Sequence, residues 1–206
     1  MANFNTTFEK FILPNEGYFA NLTGDIGGVT YAGIARNFNP LWNGWPIVDA
    51  YVNAKGGLSK MLNNERIPNL DGLVADFYMN LWHTNRMDSI NNQDIGNIFF
   101  DFIVNSGANI AVKHIQRIVG VPDDGIMGMQ TLNAINAYNP TILFDKIKQD
   151  RESFYMQLAD KSKAMANFLQ GWLTRLSTFT TPTAMGVGIG VFLLIGIVTF
   201  LTLRES

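Results

Sequence analysis

The feature that most constrains this 206-residue chain is an apolar run near its C-terminus. Residues 184–203, AMGVGIGVFLLIGIVTFLTL, contain no charged residue and no Asn, Gln or Pro. As a helix rising about 1.5 Å per residue, this run would extend roughly 30 Å, which is the thickness of the hydrocarbon core of a bilayer. Because the run has no polar face, a buried core helix is a poor alternative. We therefore expect residues 177–183 to form a linker and residues 184–203 a transmembrane helix, in which Gly186 and Gly190 could contact another helix.

Composition excludes several classes of function for the rest of the chain. A net charge of −2 argues against a nucleic-acid partner, which would select a strongly basic surface. The chain has no cysteine, and its two histidines, His83 and His114, are far apart in the sequence. Neither a thiolate site nor a histidine cluster is available for zinc, so we expect no metal and no cofactor.

The first 180 residues have the periodicity of helices. Apolar residues recur three or four positions apart in several segments, and no segment alternates between apolar and polar residues over a useful length. These stripes include Phe4, Phe8, Phe11 and Ile12; Leu70, Val74, Phe77 and Leu81; Ile95, Ile98, Phe99 and Phe102; and Ala111, Val112, Ile115 and Val119. Pro140 is placed to begin a long last helix that continues toward Leu176. The sequence therefore predicts a mainly α class, with a loop or short hairpin over residues 21–45.

One acidic side chain occupies a position suited to acid catalysis. Glu16 follows the first apolar stripe within FILPNEGYF, where Pro14 and Gly17 mark the end of a helix. Cleavage of a glycosidic bond requires a carboxylic acid that protonates the leaving oxygen. Partial burial among these apolar neighbours would raise the pKa of Glu16 and keep it protonated. The alternative is a solvated glutamate at a helix end.

The residues around Glu16 resemble a known family signature. Glu16-Gly17-Tyr18-Phe19, then Asp25, then the run GGVTYAGI at 27–34 are similar to the E-G-G-Y, D and G-G-x-T-x-x-G-I pattern of glycoside hydrolase family 108. Tyr18 and Phe19 depart from the glycine and tyrosine of that pattern. Further similarity lies in DFIVNSG at 101–107, DGIMG at 124–128 and FLQGWLTR at 168–175, so the resemblance covers about residues 7–176.

This resemblance implies a lysozyme-like helical fold that cleaves peptidoglycan between N-acetylmuramic acid and N-acetylglucosamine. Glu16 would be the acid, Asp25 an electrostatic stabiliser or base, and Thr30 a hydroxyl that positions water. Asp25 is equally compatible with a turn before Gly27, and Thr30 with a hydroxyl bonded to the backbone.

Candidate sugar contacts come from aromatic and amide side chains, because pyranose rings present apolar faces and hydroxyl edges. Tyr31, Trp82 and Asn105 are the candidates for substrate binding. Trp82 follows Tyr78 by one helical turn, which suits a core position equally well.

The resemblance also suggests a division of the chain and a biological setting. We expect a catalytic region over residues 1–93 and a helical peptidoglycan-binding region over residues 94–176 packed on it. The first 13 residues lack the pattern of a secretory signal. Without such a signal, a C-terminal anchor would leave the domain in the cytoplasm, away from the cell wall, whereas a membrane enclosed in a virus particle could display it. The virion membrane of a bacteriophage, for entry or host lysis, is therefore the expected location, with the bacterial inner membrane as the alternative. Two other functions stay open: a lytic transglycosylase acting on the same bond, and a non-catalytic wall-binding module.

Overall fold

The mainly helical class predicted from the sequence is confirmed by a computed structural model, which describes residues 1–21, 27–161 and 163–180. The principal helices in these ranges are α1 (Phe4–Thr7), α2 (Leu13–Glu16), α3 (Trp45–Ala54), α4 (Asp71–Thr84), α5 (Gln93–Ser106), α6 (Ala108–Val119), α7 (Met129–Ala137), α8 (Pro140–Lys161) and α9 (Lys163–Ser177). Three short antiparallel strands follow α2, namely β1 (Phe19–Ala20), β2 (Thr30–Tyr31) and β3 (Ile34–Ala35), in the order β1-β2-β3.

The opening helical segment ends where the sequence indicated. A π-helical stretch, Phe8–Ile12, joins α1 to α2, and Phe4, Phe8 and Ile12 face the core as their spacing predicted. Gly17 stops the segment, because its φ of +64° lies in the left-handed region that glycine adopts most readily. Glu16 is therefore the last residue of α2 and precedes the turn into β1.

Helix α5 is the central element of the core. Its residues from Ile95 to Ile103 are buried, because the sequence there is apolar on almost every side of the helix. The side chain of Asn92 caps its first turn by accepting hydrogen bonds from the backbone of Asp94 and Ile95. Helices α1, α6 and α8 and the π-helical stretch all pack against it, so α5 connects the N-terminal and C-terminal parts of the chain.

The prediction of one long last helix from Pro140 to Leu176 is wrong in one respect. This segment forms two helices, α8 and α9, which pack against each other. The rings of Tyr155 and Trp172 stack with centroids 5.4 Å apart, whereas 17 residues in one continuous helix would span about 25 Å. Near the end of α9, Lys148 of α8 donates a hydrogen bond to the carbonyl of Phe179 at 2.6 Å. Helix α9 therefore returns along α8 and brings residues 175–179 back to the core.

The predicted anchor at 184–203, with Gly186 and Gly190, lies outside the described residues, as do residues 181–183 of the predicted linker. No helix among the residues that the structure does describe has the length and apolarity needed to cross a membrane. Residues 177–180 of the predicted linker are described, and they begin with the last residue of α9. Phe179 is buried, and its ring stacks on Phe11 with centroids 4.7 Å apart.

Candidate active site

The carboxylate of Glu16 sits at the end of α2 with only 14% of its side chain exposed. Its Oε1 atom forms an ion pair with Nη1 of Arg175 at 2.7 Å. Arg175 belongs to the last turn of α9, so the partner of Glu16 comes from the opposite end of the described chain. The return of α9 along α8 is what makes this contact available.

Arg175 is itself held by a second carboxylate. Its Nη2 lies 2.7 Å from Oδ1 of Asp101 on α5, and its Nε donates a hydrogen bond to the same oxygen at 2.8 Å. Asp101 is fully buried, and its other oxygen accepts a hydrogen bond from Nη2 of the fully buried Arg151 at 2.7 Å. Glu16, Arg175, Asp101 and Arg151 thus form a chain of alternating charges that sum to zero when both carboxylates are ionised.

The remaining donors of Arg151 fix this chain of charges to the core. Arg151 donates to the carbonyl of Ile98 at 2.9 Å and to the hydroxyl of Tyr155 at 2.8 Å. The Tyr155 hydroxyl in turn donates to Oδ1 of Asn105 at 2.8 Å. Because buried charges are stable only when paired and hydrogen-bonded, this network holds Arg175 in a defined place beside Glu16.

The other face of the Glu16 carboxylate packs against a glycine. A Cβ atom built on Gly33 would lie 2.2 Å from Oε2 of Glu16 and 2.6 Å from the hydroxyl of Tyr78, so no larger residue fits. Gly33 also has a φ of +74°, which other residues rarely adopt. The Tyr78 hydroxyl donates to the carbonyl of Ala32 at 2.7 Å and so positions this turn. This close approach explains why a glycine, Gly33, occupies the second-to-last position of the GGVTYAGI run.

Burial raises the pKa of the Glu16 carboxyl above its ordinary value of 4.5. The charge and hydrogen bond of Arg175 lower that pKa and the charge of Asp101 raises it, but the loss of solvation is the largest effect. Burial likewise raises the pKa of Tyr78 well above 10, so its hydroxyl stays protonated beside Glu16. A carboxyl that keeps its proton to higher pH is what a general acid requires.

The two proposed partners of Glu16 have different outcomes. Asp25 lies outside the described residues. Thr30 is in β2, half-buried, and its hydroxyl donates to the carbonyl of Gly28 at 3.3 Å. The structure therefore shows the backbone-bonded arrangement that was the alternative for Thr30, and its role toward water stays a prediction.

The predicted sugar contacts Tyr31 and Trp82 are core residues in this structure. Tyr31 is 1% exposed, and its hydroxyl donates to the carbonyl and accepts from the N–H of Ile67. Trp82 is fully buried against Phe100, and its Nε1 donates to Asp88 at 2.7 Å. Both rings are buried in this structure, and their contact with a sugar stays a prediction.

Asn105 is only half-buried, and it lies at the end of α5 rather than against the Glu16 carboxylate. Besides accepting from Tyr155, it borders a cavity of about 140 Å³ together with Trp172. Substrate binding by Asn105 stays a prediction. The structure shows that Asn105 is connected to the charged network through Tyr155.

Sequence reasoning missed Arg175, Asp101, Arg151, Tyr78 and Gly33 as parts of the site. A usable signal existed for Asp101, because its neighbours in the segment face the core. For Arg151 the signal is its spacing, since it lies four residues after Ile147 and four before Tyr155 on the buried side of α8. Arg175 stands in the run FLQGWLTR, but no local pattern connects it with Glu16.

The charged side chains of the site show no arrangement for a metal. In residues 1–21, 27–161 and 163–180, no three His, Cys, Asp or Glu side chains converge in a way that could hold an ion.

Comparisons with known proteins agree with this architecture. The family model described as glycosyl hydrolase 108 matches residues 9–107, and the model described as a predicted peptidoglycan domain matches residues 110–177. No curated protein matches the sequence. Among the solved structures, SagA of Brucella abortus is similar, with a TM-score of 0.62 and 22% identity over 85% of this chain and 90% of that one, a likeness that shows the fold. The site built around Glu16 falls within the first matched region, and the chain belongs to the glycosyl hydrolase 108 family, with a predicted peptidoglycan domain after it.

Proposed function

We propose that this protein is a muramidase that hydrolyses the β-1,4 bond between N-acetylmuramic acid and N-acetylglucosamine, with Glu16 as its general acid. The observation that carries the proposal is a carboxyl at a helix end whose burial raises its pKa within the glycosyl hydrolase region. Glu16 would donate its proton to the glycosidic oxygen as the bond to the anomeric carbon breaks. Water would then add to that carbon and lose its proton to a base.

Asp25 is the base or electrostatic stabiliser that we propose for this second step, with Thr30 positioning the water. Asp101 cannot take that role, because it is fully buried and both of its oxygens are engaged by Arg175 and Arg151. The second candidate is a lytic transglycosylase, since that reaction needs only one catalytic carboxyl and leaves an anhydro-muramic end.

Digestion of purified peptidoglycan by the full chain tests these proposals when the product ends are read by mass spectrometry. The wild type should release reducing muramic ends, and Glu16→Gln should lower the rate by about 10²–10⁴-fold because it removes the proton donor while keeping the shape. The matched control is Glu9→Gln, an exposed glutamate of the same helical segment, which should keep full activity. Anhydro ends would establish the transglycosylase instead, and no product from a folded wild type would leave a wall-binding module.

We also propose that residues 184–203 anchor this enzyme in a membrane, either the virion membrane of a bacteriophage or the bacterial inner membrane. The support is the length and uniform apolarity of the run. Flotation with phospholipid vesicles tests it: the full chain should float with the vesicles, and a chain that ends at residue 180 should stay in the dense fraction. Equal behaviour of the two chains would reject the anchor.

A further inference from the structure

A second concave site lies away from Glu16, where the start of α5 meets the junction of α7 and α8. Its cavity volume is about 260 Å³, and its walls include Asn91, Asn92, Ile95, Ile135, Asn136 and Tyr138. The Asn92 cap of α5 precedes Asp101 by nine positions, which corresponds to about 14 Å along the helix. The groove is therefore separate from the charged network that holds Arg175.

The two sides of this groove are fixed to each other by one side chain. Oδ1 of Asn136 accepts a hydrogen bond from the N–H of Asn91 at 2.9 Å, and its Nδ2 donates to the carbonyl of Ser89 at 2.7 Å. Asn92 is held by its capping bonds to α5. Because these bonds join α7 to the segment before α5, the groove exists before any ligand arrives, which lowers the entropic cost of binding.

The groove offers polar groups for a ligand but no charge. No charged residue lines it, and Lys146, whose Nζ lies 5.7 Å from the centre of the Tyr138 ring, is outside the lining. Throughout the described part of the chain, the structure shows no hydrogen bond to the side-chain amide of Asn91 or to the hydroxyl of Tyr138. Ile95 and Ile135 supply apolar surface beside these polar groups.

We propose that this groove binds an N-acetylhexosamine unit of the glycan strand. Such a sugar presents hydroxyls and an acetamido group, which suit amide and phenol partners, and a methyl group, which suits the isoleucines. The charged stem peptide of peptidoglycan is the poorer match, because burying its carboxylates here would leave them unpaired. The inference rests on the proposed function only in the choice of polymer, since the groove would hold a strand without cleaving it.

Titration of the full chain with the trimer of N-acetylglucosamine, followed by backbone amide NMR, tests the proposal. We expect saturable shifts at Asn91, Asn92, Asn136 and Tyr138, with a dissociation constant on the order of 1 mM for a site that takes one sugar. Asn91→Ala combined with Tyr138→Phe removes two hydrogen-bonding groups, one at an exposed and one at a half-buried position, and should weaken binding about tenfold. Asn133→Ala, an exposed position of α7 outside the groove, is the matched control and should bind like the wild type.

A Glu16→Gln chain separates this inference from the proposed function. It should show the same groove shifts as the wild type, although it no longer cleaves. Shifts confined to residues around Glu16 and Gly33, or no saturable shift, would overturn the groove site even if peptidoglycan is digested. Groove shifts with a free stem tetrapeptide and none with the sugar would also overturn it.

Discussion

At the scale of single residues, the burial that suits Glu16 to its proposed role as an acid also has a cost to folding. Burial raises its pKa in the folded chain above the ordinary value of 4.5, so the folded state binds the proton more tightly than the unfolded state. Between the unfolded and the folded pKa the folded chain carries more bound protons, and the free energy of unfolding falls as the pH rises through that window. Ionised Glu16 therefore destabilises the fold relative to neutral Glu16, even with Arg175 beside it.

The pH dependence of stability measures this effect. Glu16→Gln keeps the side chain neutral at every pH, so its free energy of unfolding should lack the decline that the wild type shows above about pH 4.5. Urea unfolding of both chains at pH 4 and pH 7 gives the comparison. The free energy of unfolding of the variant, relative to that of the wild type, should be higher at pH 7 than at pH 4. A variant that loses stability relative to the wild type at pH 7 would mean that the ion pair with Arg175 outweighs the desolvation of Glu16.

Gly33 is the second residue whose identity the site dictates. Gly33→Ala places a methyl group 2.2 Å from Oε2 of Glu16, so the carboxylate must move, and a displacement of about 1 Å can lower a rate on the order of 10²-fold. Gly57→Ala is the matched control, because Gly57 also has a positive φ, +105°, but a Cβ there meets nothing within 4 Å. Both variants should lose stability through backbone strain of about 1–3 kcal/mol.

Only Gly33→Ala should lose cleavage of peptidoglycan when both variants are assayed at a temperature at which circular dichroism shows them folded. Equal activity of the two alanine variants would show that the Glu16 carboxylate tolerates the displacement.

The position of Glu16 at a helix end could be predicted from the sequence, whereas its contact with Arg175 could not, because the first depends on local residues and the second on tertiary packing. The position of Glu16 is set locally, by an apolar stripe that ends at Pro14 and Gly17. The partnership with Arg175 depends on how α5, α8 and α9 pack, and no periodicity within either segment encodes that packing. The burial of Tyr31 and Trp82 was unpredictable for a related reason, since the sequence around an aromatic residue does not distinguish a ring that faces a cleft from one that faces the core.

At the scale of elements, the buried ion pair between Asp101 of α5 and Arg151 of α8 holds the central helix against the helical hairpin that α8 and α9 form. Both side chains are fully buried, so removing one charge leaves the other without compensation. Asp101→Asn should lower the free energy of unfolding by about 3–5 kcal/mol, as measured by urea denaturation. Asp123→Asn is the control, because it breaks an ion pair with Arg117 in which both side chains are about half exposed and solvent replaces the interaction. Comparable losses from the two substitutions would contradict a structural role for the buried pair.

Helices were predictable where one face of a segment is apolar. The stripes at residues 70–81, 95–102 and 111–119 correspond to α4, α5 and α6, and Pro46 and Gly56 bracket α3 as their chemistry indicates. The reversal between α8 and α9 was not predictable, because the sequence from Asp160 to Ala164 contains neither Pro nor Gly. Stacking of Trp172 on Tyr155 and burial of Phe179 favour the hairpin, and these are contacts between segments that a local pattern does not contain.

At the scale of the whole molecule, the two family regions share one site. Glu16 lies in the region matched by the glycosyl hydrolase model, whereas Arg151 and Arg175 lie in the region matched by the peptidoglycan domain model. The division predicted between residues 93 and 94 stays a prediction. It falls at the beginning of α5, which starts at Gln93 and packs against helices from both the N-terminal and the C-terminal parts of the chain. We infer that the second region completes the proposed catalytic site in addition to any binding role.

A pair of truncations tests this dependence. A chain that ends at residue 180 keeps Arg175, Leu176 and Phe179, and we expect it to unfold cooperatively and to cleave peptidoglycan. A chain that ends at residue 174 loses all three, including the buried Phe179 ring, whose removal alone corresponds to about 3–5 kcal/mol. We expect this shorter chain to lose stability in thermal unfolding and activity in the digestion assay.

Loss of activity in the shorter chain could follow from unfolding alone, so a third chain is needed. Arg175→Gln within residues 1–180 keeps Phe179 packed on Phe11 but removes the cation that faces Glu16. Because Arg175 lowers the pKa of Glu16, this variant should stay folded and keep its activity to a higher pH than the chain that ends at residue 180 with Arg175 intact. If the variant and its parent had the same pH profile, the ion pair would be structural only, and the C-terminal region would support the fold without tuning the acid.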